Sequence, residues 1–202
     1  MKCAVFEATN LIEHLDGDNV FNALSALDRV VHIVQILRDQ IRVLQSLSPS
    51  SFQVIRRSLG NGSGLESPGY NQLLAAATAA EAALGRLIAR RHTTLLEIYE
   101  NPEDHADLHR LGERLIDWDS AFQTWLVEHF MLVRRTMGID KSVRALDGFP
   151  TVALGGRMTK PLFPELWNVR VEMTQSWSRE GGFAPGEQRC PYSGPVCRHA
   201  GA

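Results

Sequence analysis

The side chain best placed to do chemistry in this sequence is His129, in Trp125-Leu-Val-Glu-His-Phe-Met-Leu132. Trp125 lies four residues before it and Leu132 three after, so all three share a helical face. A neutral imidazole among large apolar groups can bind a metal through one ring nitrogen while the other donates to a neighbouring acceptor. A hydrogen-bonded core histidine has the same pattern, and spacing alone leaves both readings open. The surroundings suit haem, because Trp125 and Leu132 offer flat and branched apolar surface to a porphyrin. A second candidate is the pair Arg56-Arg57, which follows Phe52 and Ile55 and precedes the loop Gly60-Asn-Gly-Ser-Gly64. A guanidinium there can grip a carboxylate through two parallel hydrogen bonds, or it can be a solvated surface arginine. Adjacent helical positions point about 100° apart, so only one of the two arginines can face a pocket. The glycine loop lacks the Gly-Lys-Ser/Thr ending and the preceding strand of a phosphate-binding loop. His105 and His109 are four apart with no Glu in zincin fashion, which reads as a solvated face. Cys190 and Cys197 have six residues between them, wider than zinc pairs, and read as free thiols in a tail.

These residues need helices to position them. Val20, Leu24, Leu27, Val31, Val34, Leu37, Ile41 and Leu44 recur at steps of three and four, predicting one helix over Asn19–Leu47 with Asp18 as its cap. Met1–Leu15 also has helical spacing. Pro49 stops the long helix, and Ser50 or Ser51 caps a short one running to Leu59. After the glycine loop, Tyr70–Arg91 is helical and rich in alanine. A polar stretch, Asn101–Asp107, leads into a second long helix at about Leu108–Met137. Its stripe is Leu111, Leu115, Trp118, Phe122, Trp125, His129, Leu132 and Thr136, which aims His129 inward. From Gly138 to Gly156 a loop is expected, then a short helix over Phe163–Trp177. No alternating strand pattern and no internal repeat is present, so the expected class is all-α. Residues 1–180 form the expected domain, and 181–202, rich in Gly, Pro and Cys, a loose tail.

Composition narrows the function classes. The 202 residues carry 21 Lys and Arg against 23 Asp and Glu, a net charge of −2, with no basic excess to attract nucleic acid or an anionic membrane. Hydrophobic residues at 44 % are ample for one core. The longest apolar stretches, such as Leu73–Leu84, are interrupted, and none is expected to span a membrane. Without a signal-peptide layout, the expected compartment is the cytoplasm.

Three blocks resemble the tryptophan 2,3-dioxygenase family of haem-dependent aromatic oxygenases. Phe52-Gln-Val-Ile-Arg56-Arg-Ser-Leu59 and the following Gly62-Ser63-Gly64 are similar to that family's Phe-x-x-[Phe]-Arg-x-x-Leu and Ala-Ser-Gly-Phe-Gln-Ser. Trp125, His129, Val133, Arg135 and Gly138 fall on its Trp-x-x-x-His-x-x-x-Val-x-Arg-x-x-Gly. Gly155-Gly156 with Phe163-Pro-Glu-Leu-Trp167 is a weaker third block. The resemblance, covering most of Met1 to about Trp177, implies a helical bundle with a haem pocket. It implies haem b ligated by His129 and lined by Ser63, Gly64, Trp125, Leu132 and Val133. Phe52, Arg56 and the position of Leu154 would meet an aromatic amino acid, Arg56 taking its carboxylate, with Ser63 and Arg56 serving catalysis. The implied reaction inserts both atoms of O2 into the indole ring of L-tryptophan, giving N-formylkynurenine in tryptophan catabolism, in a homotetramer.

Two departures from the pattern qualify the transfer. The family's Gly-Thr-Gly-Gly-Ser reads Val152-Ala-Leu-Gly-Gly-Arg157 here, and Leu154 cannot hydrogen-bond a substrate ammonium as the threonine does. A mono-oxygenase acting on tyrosine or an indole derivative is the alternative this raises. The family's distal histidine would align about seven residues before Met1, in a helix already under way there without a cap. That predicts an upstream in-frame start, or else a haem-binding but inactive homologue.

Overall fold

The computed structural model describes residues 1–59, 67–145, 148, 150–157 and 160–176. Its elements are α1 (Lys2–Asp16), α2 (Val20–Leu44), α3 (Pro49–Ser58), α4 (Pro68–Arg90), α5 (Leu95–Glu100), α6 (Ala106–Thr136), a 3-10 helix (Thr151–Arg157) and α7 (Pro164–Ser176). The described residues contain no strand, and one isolated bridge joins Arg144 to Pro150. The all-α class expected from the periodicity is the observed one.

Small residues set the packing. Ala4 and Ala8 of α1 are fully buried, as are Ala23 and Ala26 of α2 and Ala80 and Ala83 of α4. With only methyl groups at these contacts, α1 seats between α2 and α4, and the other face of α2 lies along α6. Leucines and valines fill the space between: Leu11, Leu15, Leu27, Val30, Leu87, Leu111 and Leu115. Ion pairs close the outer edges, Arg29 to Glu7, Arg86 to Asp16 and Arg114 to Asp28. Each has at least one partner about half exposed, so each adds little to stability.

Several boundaries differ from the sequence reading, each for a local reason. Asn19, not Asp18, caps α2, its side chain accepting from the Asn22 amide; Asp18 instead takes a left-handed conformation (φ 55°) in the turn after α1. Asn and Asp both tolerate either role, so their adjacency hides which takes which. α2 stops at Leu44, and Pro49 opens α3 rather than closing α2, with Ser48 accepting from the Ser51 amide. Proline suits the first helical turn because its missing N–H has no intrahelical partner there. Thr94 caps the unforeseen short α5 through the Glu97 amide, and the expected loop before Gly156 holds the 3-10 helix. α2 is also long and apolar enough, by length and composition, to cross a membrane, against the expectation that no stretch is. Its Ala23, Leu27, Val30, Val31 and Val34 are buried against the rest of the fold.

Candidate functional site

The stripe along α6 changes character midway. Leu111, Leu115 and Trp118 are 0 % exposed and Phe122 2 %, whereas Trp125 and His129, next on the same stripe, are only half-buried. Leu132 and Thr136 return to the interior, and Val133 is half-buried. Four rings form a continuous array across this uncovered region. Tyr70 of α4 stacks on Phe122 (6.0 Å) and leans on Trp125 (6.1 Å). Phe122 stacks on Trp125 (5.8 Å) and Trp125 on the His129 imidazole (5.6 Å, 22° between planes).

Burial pushes the His129 imidazole below its ordinary pKa, favouring the neutral form, which carries a free ring nitrogen lone pair. Among the described residues His129 makes no hydrogen bond, so the acceptor expected behind its second nitrogen is not found there. The adjacent Glu128 carboxylate is occupied elsewhere, accepting from the Gln45 amide at 2.7 Å and pairing with Arg42.

α3 and the 3-10 helix both pack on α6. Arg56 is half-buried and its guanidinium donates to the Arg144 carbonyl at 2.9 Å, while Arg57 is exposed. That bond joins α3 to the segment leading into the 3-10 helix. Thr151, fully buried, holds the same segment to the end of α6: its hydroxyl bonds the Asp140 backbone and its amide donates to Val143. Phe52 and Leu154 are half-buried on these two flanking elements. Ser63 and Gly64, like Cys190 and Cys197, lie outside the described residues.

A cavity of about 570 Å³ opens beside the ring array. Leu74, Phe122, Leu126, Pro161 and Leu162 give it apolar walls, and Tyr70, Asn71, Thr78 and Lys160 supply polar groups. One wall is held by a carboxylate the sequence reading passed over. Asp119, 0 % exposed, accepts from the Leu162 amide (3.2 Å), the Trp167 indole N–H (2.6 Å) and the Gln123 amide (3.3 Å). Gln123 also donates to the Lys160 carbonyl at 2.6 Å, so two successive turns of α6 fasten residues 160–162 in place. An acid next to Trp118 in an otherwise apolar helix face was the available signal, since a buried carboxylate requires donors. The described residues hold no group of three or more His, Cys, Asp or Glu able to bind a metal ion between them. Iron held here would need a cofactor contributing most of its ligands.

The fold and site are those of an all-α protein whose half-buried His129 stacks on Trp125, one helical turn from Leu126 in the wall of an apolar cavity. No family model matches the chain. It is similar to curated proteins named tryptophan 2,3-dioxygenase. One from Burkholderia ambifaria is 27 % identical over 224 residues, covering 86 % of this chain and 72 % of the relative. One from Burkholderia multivorans is 26 % identical over 86 % and 71 %, and one from Paraburkholderia phytofirmans 27 % over 85 % and 72 %. Over most of its length, then, the chain is similar to proteins named tryptophan 2,3-dioxygenase.

Proposed function

We propose that the chain is a haem-dependent oxygenase of an aromatic amino acid, with His129 as the haem's protein ligand. The observation that carries this reading is the half-buried stretch of the α6 stripe, where Trp125 and the hydrogen-bond-free His129 stack on each other without being closed over. The residues fit haem: the neutral His129 imidazole would supply a nitrogen to the iron, and Trp125, Leu126, Leu132 and Val133 would supply apolar surface. When bound, haem supplies the activation of O2 for insertion into an aromatic ring. The protein's own part is positioning. Arg56, already anchored at one nitrogen by the Arg144 carbonyl, has further N–H groups for a substrate carboxylate, with Phe52 on the preceding turn for its ring. Ser63 and Gly64 complete the proposed pocket. The substrate proposed first is L-tryptophan, gaining both oxygen atoms.

Leu154 favours a second reading. An isobutyl group at the place of an ammonium-binding hydroxyl points to a differently held substrate, such as tyrosine or an indole derivative gaining one oxygen. Haem-reconstituted protein incubated separately with L-tryptophan and L-tyrosine under O2 distinguishes these by product mass. The expected result is turnover of one of them, with His129→Ala losing haem absorbance and turnover together. Unchanged ferric and ferrous spectra and haem content in His129→Ala would exclude the ligand assignment. For substrate binding, Arg56→Lys should weaken amino-acid affinity by about 1.5–3 kcal/mol. Equal losses from Arg56→Ala and Arg57→Ala would remove Arg56 from the site.

A further inference from the structure

Among the described residues lining the cavity beside the ring array, Lys160 is the cationic one, and hydrogen bonds from α6 side chains fasten the backbone around it. The Lys160 carbonyl accepts from Gln123, and two residues on, the Leu162 amide donates to the fully buried Asp119. Lys160 itself is exposed, and no carboxylate among the described residues pairs with it. The apolar walls of the same cavity include Leu126 and Phe122. These lie three and seven residues before His129 on α6, about 4.5 and 10.5 Å along the axis and on the same face. A cavity lined both by Leu126, one helical turn from the proposed ligand His129, and by Lys160, with no carboxylate partner among the described residues, suits a flat apolar body with an acidic edge.

We propose that Lys160 is the counter-ion for a carboxylate on the edge of haem bound through His129. This rests on the haem reading above and deepens it. The same ammonium would also suit the carboxylate of an amino-acid substrate, so the test separates the two sources.

The 202-residue apoprotein is titrated with ferric haem and, separately, with its dimethyl ester, following absorbance. Wild type should prefer the free acid by roughly tenfold, the scale of a charge-assisted bond. Lys160→Met, which keeps the stem and removes the charge, should lose that preference while binding the ester as wild type does. Lys160→Arg should retain it. Thermal unfolding of the three apoproteins should coincide, showing that the change is in the ligand and not in the fold. If Lys160→Met binds haem as wild type does, the proposal is overturned while the His129 reading stands. If that variant instead lowers only amino-acid affinity on the haem-loaded protein, the carboxylate belongs to the substrate and the haem-edge assignment is wrong. If wild type binds neither haem nor ester, both readings fall together.

Discussion

The two halves of α6 carry one continuous stripe and meet different fates. Through Phe122 every stripe residue is sealed, Trp118 packing edge-on against Phe163 at 5.2 Å. Beyond it, Trp125 and His129 touch other rings but are not closed over. The residue types do not explain the difference, because both halves present large apolar or aromatic groups at steps of three and four. Their neighbours do: α7 bonds to the first half through Trp167 on Asp119 and Arg170 on Glu113, whereas the second is met at Glu128 by Arg42 and Gln45 at the end of α2. A helix face made of core-type residues but left uncovered is what a ligand-binding wall looks like before its ligand arrives.

The sharpest way to break this comparison is to truncate the sealed half. Trp118→Ala should lower stability by about 3–5 kcal/mol, read as a drop in urea midpoint at constant slope. Trp118→Phe should cost far less, since the indole N–H it removes is buried without a partner. A loss under about 1 kcal/mol for Trp118→Ala would show that the first half is not the rigid core described.

How much of this was legible in the sequence follows from what each feature depends on. The α6 stripe and the inward aim of His129 depend only on helical period, and its bounds came within two residues. The stacking partner Tyr70 was not legible, since it arrives from α4 across a tertiary contact. The uncovered state of Trp125 was hidden for the same reason, as a stripe reads alike whether or not something lies on it. Asp119 has no distinguishing neighbour in sequence beyond Trp118, and its donors come from residues 43 and 48 positions away. The position of Lys160 was not legible either, because it depends on where residues 160–162 are fastened.

Asp119 sits at the boundary between the halves, so removing it should affect both. Asp119→Ala strands the Trp167 indole N–H and the Leu162 amide, at about 1–3 kcal/mol for each unsatisfied donor, giving an expected loss of roughly 3 kcal/mol. Asp119→Asn keeps one acceptor for those donors but turns an NH2 toward the Gln123 amide, and should lose less. In both variants, loosening of residues 160–162 should weaken haem binding beyond the stability change, measured by titration at a temperature where the variant is fully folded. Unchanged haem affinity in Asp119→Ala would separate that strap from the ligand wall.

The smallest expected effect is the most discriminating. Trp125→Ala removes a side chain as large as Trp118, seven residues further along the same stripe. In the apoprotein it gives up contacts with Tyr70, Phe122 and His129 but little sealed surface, so its cost should be about 1 kcal/mol, the scale of aromatic pair contacts. Haem-loaded protein should behave differently. A ligand that binds only the folded state adds its binding free energy to stability, so any affinity lost with Trp125 reappears as an extra loss on unfolding. The gap between wild type and Trp125→Ala should therefore widen when haem is present, while the gap for Trp118→Ala should stay nearly constant. Parallel urea titrations of both variants, with and without saturating haem, supply the four numbers. If Trp125→Ala costs the apoprotein as much as Trp118→Ala does, the second half is ordinary core. If the Trp125→Ala gap fails to widen with haem, the ligand wall lies elsewhere on the molecule.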